Sequence, residues 1–139
     1  MTPPQILATS GVLEGDRSRT LGLIRYAVSL AAVPGQARLC FIPTAEGDNP
    51  LALEWFEQTF GNDPAIAASV LTLFTSPNVP DLREHLLAQD VVWVGGGSVV
   101  NLMAVWRAHG LYRQLVADGA LPSGYASKAI ARPRSCRGS

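Results

Sequence analysis

The sequence predicts a three-layer α/β sandwich around a doubly wound, mostly parallel sheet. Three observations carry that expectation. Short apolar runs alternate with segments of helical periodicity, at a repeat of roughly 25–30 residues. The run Val91-Val92-Trp93-Val94 is apolar at consecutive positions, the pattern of a strand covered on both faces by helices. Glycine, proline or small polar residues close the runs, where a strand gives way to a helix. Composition agrees, because 47% of the 139 residues are hydrophobic and only 16% are charged, which suits a buried core and not a disordered chain.

Taken in order, Gln5 to Thr9 is a short first strand ending at Ser10-Gly11, and residues 11–17 form a polar turn. Arg19 to Ala32 places Leu23, Tyr26, Ala27 and Leu30 at helical spacing, and Val33-Pro34-Gly35 stops that helix. Arg38 to Ile42 is a second buried strand, ended by Pro43 and the turn Thr44-Ala45-Glu46-Gly47-Asp48. Asp48 or Asn49 caps the next helix, with Pro50 in its first turn, where a missing N–H costs nothing. Leu53, Trp55, Phe56 and Phe60 carry that helix to Gly61 and read as core. Ala67 to Phe74 is expected to be a third strand, followed by the turn Ser76-Pro77-Asn78. Pro80-Asp81 opens a short helix to Ala88, on whose polar face His85 is read as solvated.

The strand at Val91–Val94 runs straight into Gly95-Gly96-Gly97-Ser98. Beyond it Val99, Leu102, Met103 and Trp106 fall on one helical face, and Ser98 is placed to cap that helix. Three residues without side chains, between a strand's carboxyl end and a helix start, let another group approach bare N–H donors. Such a loop suits a phosphate, a carboxylate or the oxyanion of a tetrahedral intermediate. It also suits a simple tight bend. The spacing is neither G-x-G-x-x-G, since Val100 stands at the third glycine position, nor a phosphate-binding Walker loop.

Formal net charge is zero, so neither nucleic acid nor a membrane surface is expected as a partner. Cys40 and Cys136 show no disulfide or metal spacing, and His85 and His109 no ligand pattern, so no metal and no cofactor is implied. No signal peptide or membrane-spanning run is seen, and a cytoplasmic protein is expected. Residues 1–118 are read as the α/β domain. After Asp118 no acidic residue follows, and residues 119–139 are read as an atypical basic tail, partly disordered.

Asp90-Val91-Val92-Trp93-Val94-Gly95-Gly96-Gly97-Ser98, with Leu102 and Trp106-Arg107-Ala108-His109-Gly110-Leu111, resembles the dipeptidase E group of serine peptidases. That group is related to cyanophycinase and shares the class I glutamine amidotransferase-like fold, a flavodoxin-like sandwich. Phe41-Ile42-Pro43-Thr44-Ala45 and Ile6-Leu7-Ala8-Thr9-Ser10-Gly11 resemble its second and first strands, so the likeness spans residues 5 to about 111. The resemblance implies hydrolysis of N-terminal Asp-X dipeptides, with Gly95, Gly96 and Gly97 as the oxyanion loop. It also implies a nucleophile on a Gly-x-Ser-Ala-Gly turn and a downstream histidine and acid, because a serine hydroxyl needs an oriented base.

At the corresponding turn this chain reads Gly124-Tyr125-Ala126-Ser127-Lys128. Ala126 occupies the serine position, and the candidate nucleophile Ser127 comes one place late. The expectation is therefore a family member whose C-terminal part is missing or altered, lacking the complete triad. Ser10, Thr44, Ser98 and Asn101 are the candidate substrate-binding residues for a short peptide or small anion. Glu46 and Asp48 are read as turn or cap residues. Apolar surface left uncovered is expected to promote homo-oligomers. The alternative is a non-catalytic module binding a small anion or peptide through the same loop; a flavin binder fits less well, because Ser10-Gly11-Val12 is not a flavin-phosphate turn.

Overall fold

The computed structural model of the chain describes residues 5–9, 17–117 and 128–131. Elements follow in the order β1 (Gln5–Ala8), α1 (Arg17–Ala31), β2 (Ala37–Ile42), a single 3-10 turn (Thr44–Glu46), α2 (Pro50–Phe60), β3 (Ile66–Val70), α3 (Leu82–Leu87), β4 (Val91–Val94), α4 (Val99–Ala108), α5 (Leu111–Ala117) and β5 (Lys128–Ala131). The strands form one sheet in the order β1-β5-β4-β2-β3. β2 pairs in parallel with β3 and with β4, and β5 runs antiparallel to both β4 and β1.

Alternation along β2 and β4 builds two cores, because successive side chains of a strand leave opposite faces. Cys40, Ile42, Val92 and Val94 face a layer holding Leu86, Leu102, Trp106 and Leu111 from α3, α4 and α5. Leu39, Phe41, Val91 and Trp93 face Ile24, Ala27 and Ala31 of α1 and Phe56 and Phe60 of α2. Phe56 lies with its ring centroid 5.1 Å from Phe41 on one side and 5.1 Å from Phe60 on the other. Each such ring contributes about 1.5–3 kcal/mol by leaving water, so this stack fixes α2 on the sheet. Trp93 is buried here as packing.

The sequence-based helix starts are found where capping chemistry placed them. Asn49 accepts from the Leu51 N–H at 3.0 Å, Asp81 from the Glu84 N–H at 2.9 Å, and Ser98 from the Asn101 N–H at 3.2 Å. Asp90, fully buried below β4, receives the Arg38 N–H on its Oδ2 at 2.8 Å while its own N–H donates to the Arg38 carbonyl at 2.9 Å. This double clasp sets the register of β2 against β4.

Four details differ from expectation. The third strand stops at Val70 and not at Phe74. Beyond Leu71 the backbone donors are taken by side chains: Asn78 Oδ1 accepts from the Thr72 N–H, and Asp48 Oδ2 from those of Leu73 and Phe74. Leu71 and Leu73 are nonetheless fully buried, which explains their strand-like pattern. Val99, expected on the core face of α4, is exposed because it lies at the helix start, beyond the sheet edge. His85 is half-buried and not solvated. Finally, Lys128–Ala131, within the stretch read as a tail, form the strand between β1 and β4. The rest of that stretch lies outside the described residues.

Candidate functional site

Adjacent parallel strands deliver their following loops to the same rim of a sheet, where α/β proteins bind ligands. Ile42 and Val94 are paired at the ends of β2 and β4, so the turn Pro43–Glu46 and the loop Gly95–Ser98 leave side by side. Two hydrogen bonds lay one upon the other. The Gly95 N–H continues the ladder to the Ile42 carbonyl at 3.1 Å, and the Ser98 N–H donates to the Ala45 carbonyl at 2.8 Å. Between these anchors, the N–H groups of Gly96 and Gly97 donate to no acceptor among the described residues.

Geometry requires a glycine at position 97 and crowds position 95. Gly97 has φ +136°, which L side chains rarely adopt. A Cβ there would also strike the Ala45 carbonyl oxygen and come within 2.6 Å of its carbon. At Gly95 a Cβ would stand 3.1 Å from the Phe41 ring. Gly95 is buried, Gly96 half-buried and Gly97 exposed, so the loop rises from the core into solvent.

The other predicted residues divide. Ser98 and Asn101 are exposed beside the loop, the first with its hydroxyl oxygen occupied as the α4 cap. Thr44 is close by but has 0% exposure, and its Oγ1 accepts a 3.1 Å hydrogen bond from Trp106 Nε1. Its side chain therefore meets the protein and not the solvent. Ser10, Ser127 and Ala126 lie outside the described residues.

Asp48 joins this rim with more than a turn role. It has φ +53°, accepts two backbone N–H groups through Oδ2, and keeps a buried Oδ1 with no hydrogen-bond partner among the described residues. Thr75, a β-branched residue at φ +70°, follows the segment that Asp48 holds. Strained backbone of this kind gathers where surroundings over-determine it. The sequence signal was the Gly47-Asp48 pair, since aspartate tolerates left-handed backbone better than most residues.

Neither histidine reaches the loop. His85 Nε2 lies 3.6 Å from Cys40 Sγ and 3.4 Å from Ser69 Oγ, beneath the sheet surface covered by α3. Burial lowers its pKa from the ordinary 6.5. The Cys40 thiol is pushed up to about 12, mainly by burial, so it is neutral and a poor nucleophile. His109 caps α4 at the end opposite the glycines, about 15 Å away along a ten-residue helix.

The fold and site thus define an α/β protein with a glycine loop on the carboxyl rim of its parallel strands, the rim where proteins of this class bind ligands. Comparison with known proteins narrows this class. The sequence profile described as Peptidase family S51 matches residues 6–127, and the chain belongs to that family, the one of dipeptidase E and cyanophycinase. It is also similar to an uncharacterized peptidase, YgaJ, of Bacillus subtilis strain 168, with 35% identity over 129 residues. That alignment covers 91% of this chain and 55% of YgaJ, so the chain spans about half the length of the curated relative it matches. No solved structure gives a significant match. Among the described residues, no helix is long and apolar enough to cross a membrane.

Proposed function

We propose that this chain carries the oxyanion-binding part of a serine-type peptidase site of the dipeptidase E kind, with N-terminal Asp-X dipeptides as its substrate class. The observation that carries the reading is the pair of N–H groups at Gly96 and Gly97 that meet no acceptor among the described residues, held between the bonded amides of Gly95 and Ser98. Two such donors stabilise the negative oxygen that forms when a nucleophile attacks a peptide carbonyl. Preorganisation is what gives them their effect, and the two flanking hydrogen bonds supply it.

The remote positions of His85 and His109 support an incomplete triad, because neither can take a proton from a serine near the loop. The same observation favours a second reading, a module that holds a short peptide or small anion without cleaving it. Ser98 and Asn101 are the side chains placed to touch such a ligand. Exposed Leu51, Phe74 and Val100 support self-association as a further part of the proposal.

Incubation with an aspartyl chromogenic dipeptide tests the first reading. The expected result is saturable binding with negligible turnover; robust turnover abolished by Ser127→Ala would overturn the incomplete triad. Binding of acetate or inorganic phosphate as tight as that of the dipeptide would select the general anion module. A monomer by size exclusion would remove the self-association.

A further inference from the structure

We propose that Thr44 and Trp106 are positioning residues that set the direction of the Gly96 and Gly97 amides. The inference rests on the oxyanion-loop reading and assigns Thr44 a role other than contact with substrate. A closed ring of attachments carries it. The Ser98 N–H is fixed to the Ala45 carbonyl at 2.8 Å, and Ala45 belongs to the 3-10 turn. That turn is in turn fastened to α4 by the indole N–H of Trp106, which donates to Thr44 Oγ1 at 3.1 Å. α4 begins at Ser98's cap, so the path returns to the glycine loop after about two turns of helix, or ~12 Å.

Both members of the bond are buried, Thr44 at 0% and Trp106 at 2% exposure. Water therefore cannot stand in for either partner, and the bond holds a single geometry. Gly97 rests against Ala45 with no room between them for a Cβ, which couples the position of the turn to that of the loop. The bond joins residues 62 positions apart, tying the exit of β2 to a helix that follows β4. A buried indole N–H needs an acceptor, and because it finds one in the Thr44 hydroxyl, its satisfaction ties α4 to the turn.

The test uses 15N–1H spectra of the full chain with acetate as the probe. Thr44→Val keeps the shape of the side chain and removes the acceptor. It is expected to move the Gly96 and Gly97 amide resonances and to weaken acetate binding about tenfold, while Thr44→Ser restores both. Trp106→Phe, which keeps an aromatic ring and removes the donor, is expected to act like Thr44→Val and serves equally if that variant does not fold. Ile66→Val, a core change on the opposite face at the amino end of β3, should lower Tm without moving those two resonances. If Thr44→Val and Trp106→Phe lower Tm alone, leaving the two resonances and the acetate affinity as in the parent, the positioning role is overturned. Failure of the parent chain to bind acetate would instead sink the oxyanion-loop reading, and the resonance positions of the ligand-free variants would still decide the role of Thr44 and Trp106.

Discussion

Strand β2 carries two polar assemblies, and they use hydrogen-bonding capacity in opposite ways. At its carboxyl end, the Pro43–Glu46 turn and the Gly95–Ser98 loop lock each other in place while the Gly96 and Gly97 donors find no acceptor among the described residues. Midway along, Cys40 meets His85 and Ser69, Ser69 Oγ donates to Gln89 Oε1 at 3.5 Å, and Gln89 Nε2 donates to the His85 carbonyl at 2.8 Å. The second assembly holds the chemically reactive residue types, a thiol, a hydroxyl and an imidazole, yet it closes upon itself beneath α3. The first has almost no side chains and keeps its capacity open.

The largest perturbation should break both assemblies together. Trp106 packs in the same core as Cys40 while also holding Thr44, so Trp106→Ala is expected to cost about 3–5 kcal/mol in urea unfolding. Gly97→Ala should break the rim alone. Its Cβ meets the Ala45 carbonyl in a disfavoured backbone region, at an expected cost of about 3 kcal/mol, with anion binding lost and the Cys40 thiol still protected from disulfide-exchange reagents in a Cys136→Ser background. Ser98→Ala is a milder cut at the same rim and should cost about 1 kcal/mol through the lost cap.

The smallest effect should belong to the closed assembly. Burial lowers the His85 pKa below its ordinary 6.5, so the folded state binds this proton less readily than the unfolded state. Its contribution to stability is therefore complete above pH 6.5 and is lost as the pH falls through the folded value. A Tm profile read down to about pH 5, above the range where carboxylates titrate, should fall for the parent and flatten in His85→Gln. An unchanged slope in the variant would contradict the closed character of this cluster.

Much of the scaffold was legible in residue order because local signals and tertiary needs coincide. Val91–Val94 had to be a strand buried on both faces, and Ser98, Asn49 and Asp81 cap helices through contacts only two or three residues long. The strand-to-helix bend at Gly95-Gly96-Gly97 was legible for the same reason, since three glycines between a buried strand and a capping serine suit a tight turn. The end of β3 was not, because Leu71 and Leu73 keep an apolar alternation while Asp48, more than twenty positions earlier, takes the backbone donors of Leu73 and Phe74. His85 was misplaced on a solvated face because its partners Cys40 and Ser69 reach it from other strands. Thr44 was read as a substrate-binding residue because it follows β2, but only the fold reveals that it is buried and that Trp106 claims its hydroxyl. In each case the missing information was a long-range partner.

The central claim is that Gly96 and Gly97 hold their amides free for a negatively charged oxygen. Titration of the 15N-labelled chain with acetate reads it directly. The account predicts saturable movement of the Gly96 and Gly97 amide resonances, with those of Gly95 and Ser98, already bonded to Ile42 and Ala45, moving far less. Resonances of Gly96 and Gly97 that stay fixed throughout the titration, or that move no more than their bonded neighbours, would contradict it.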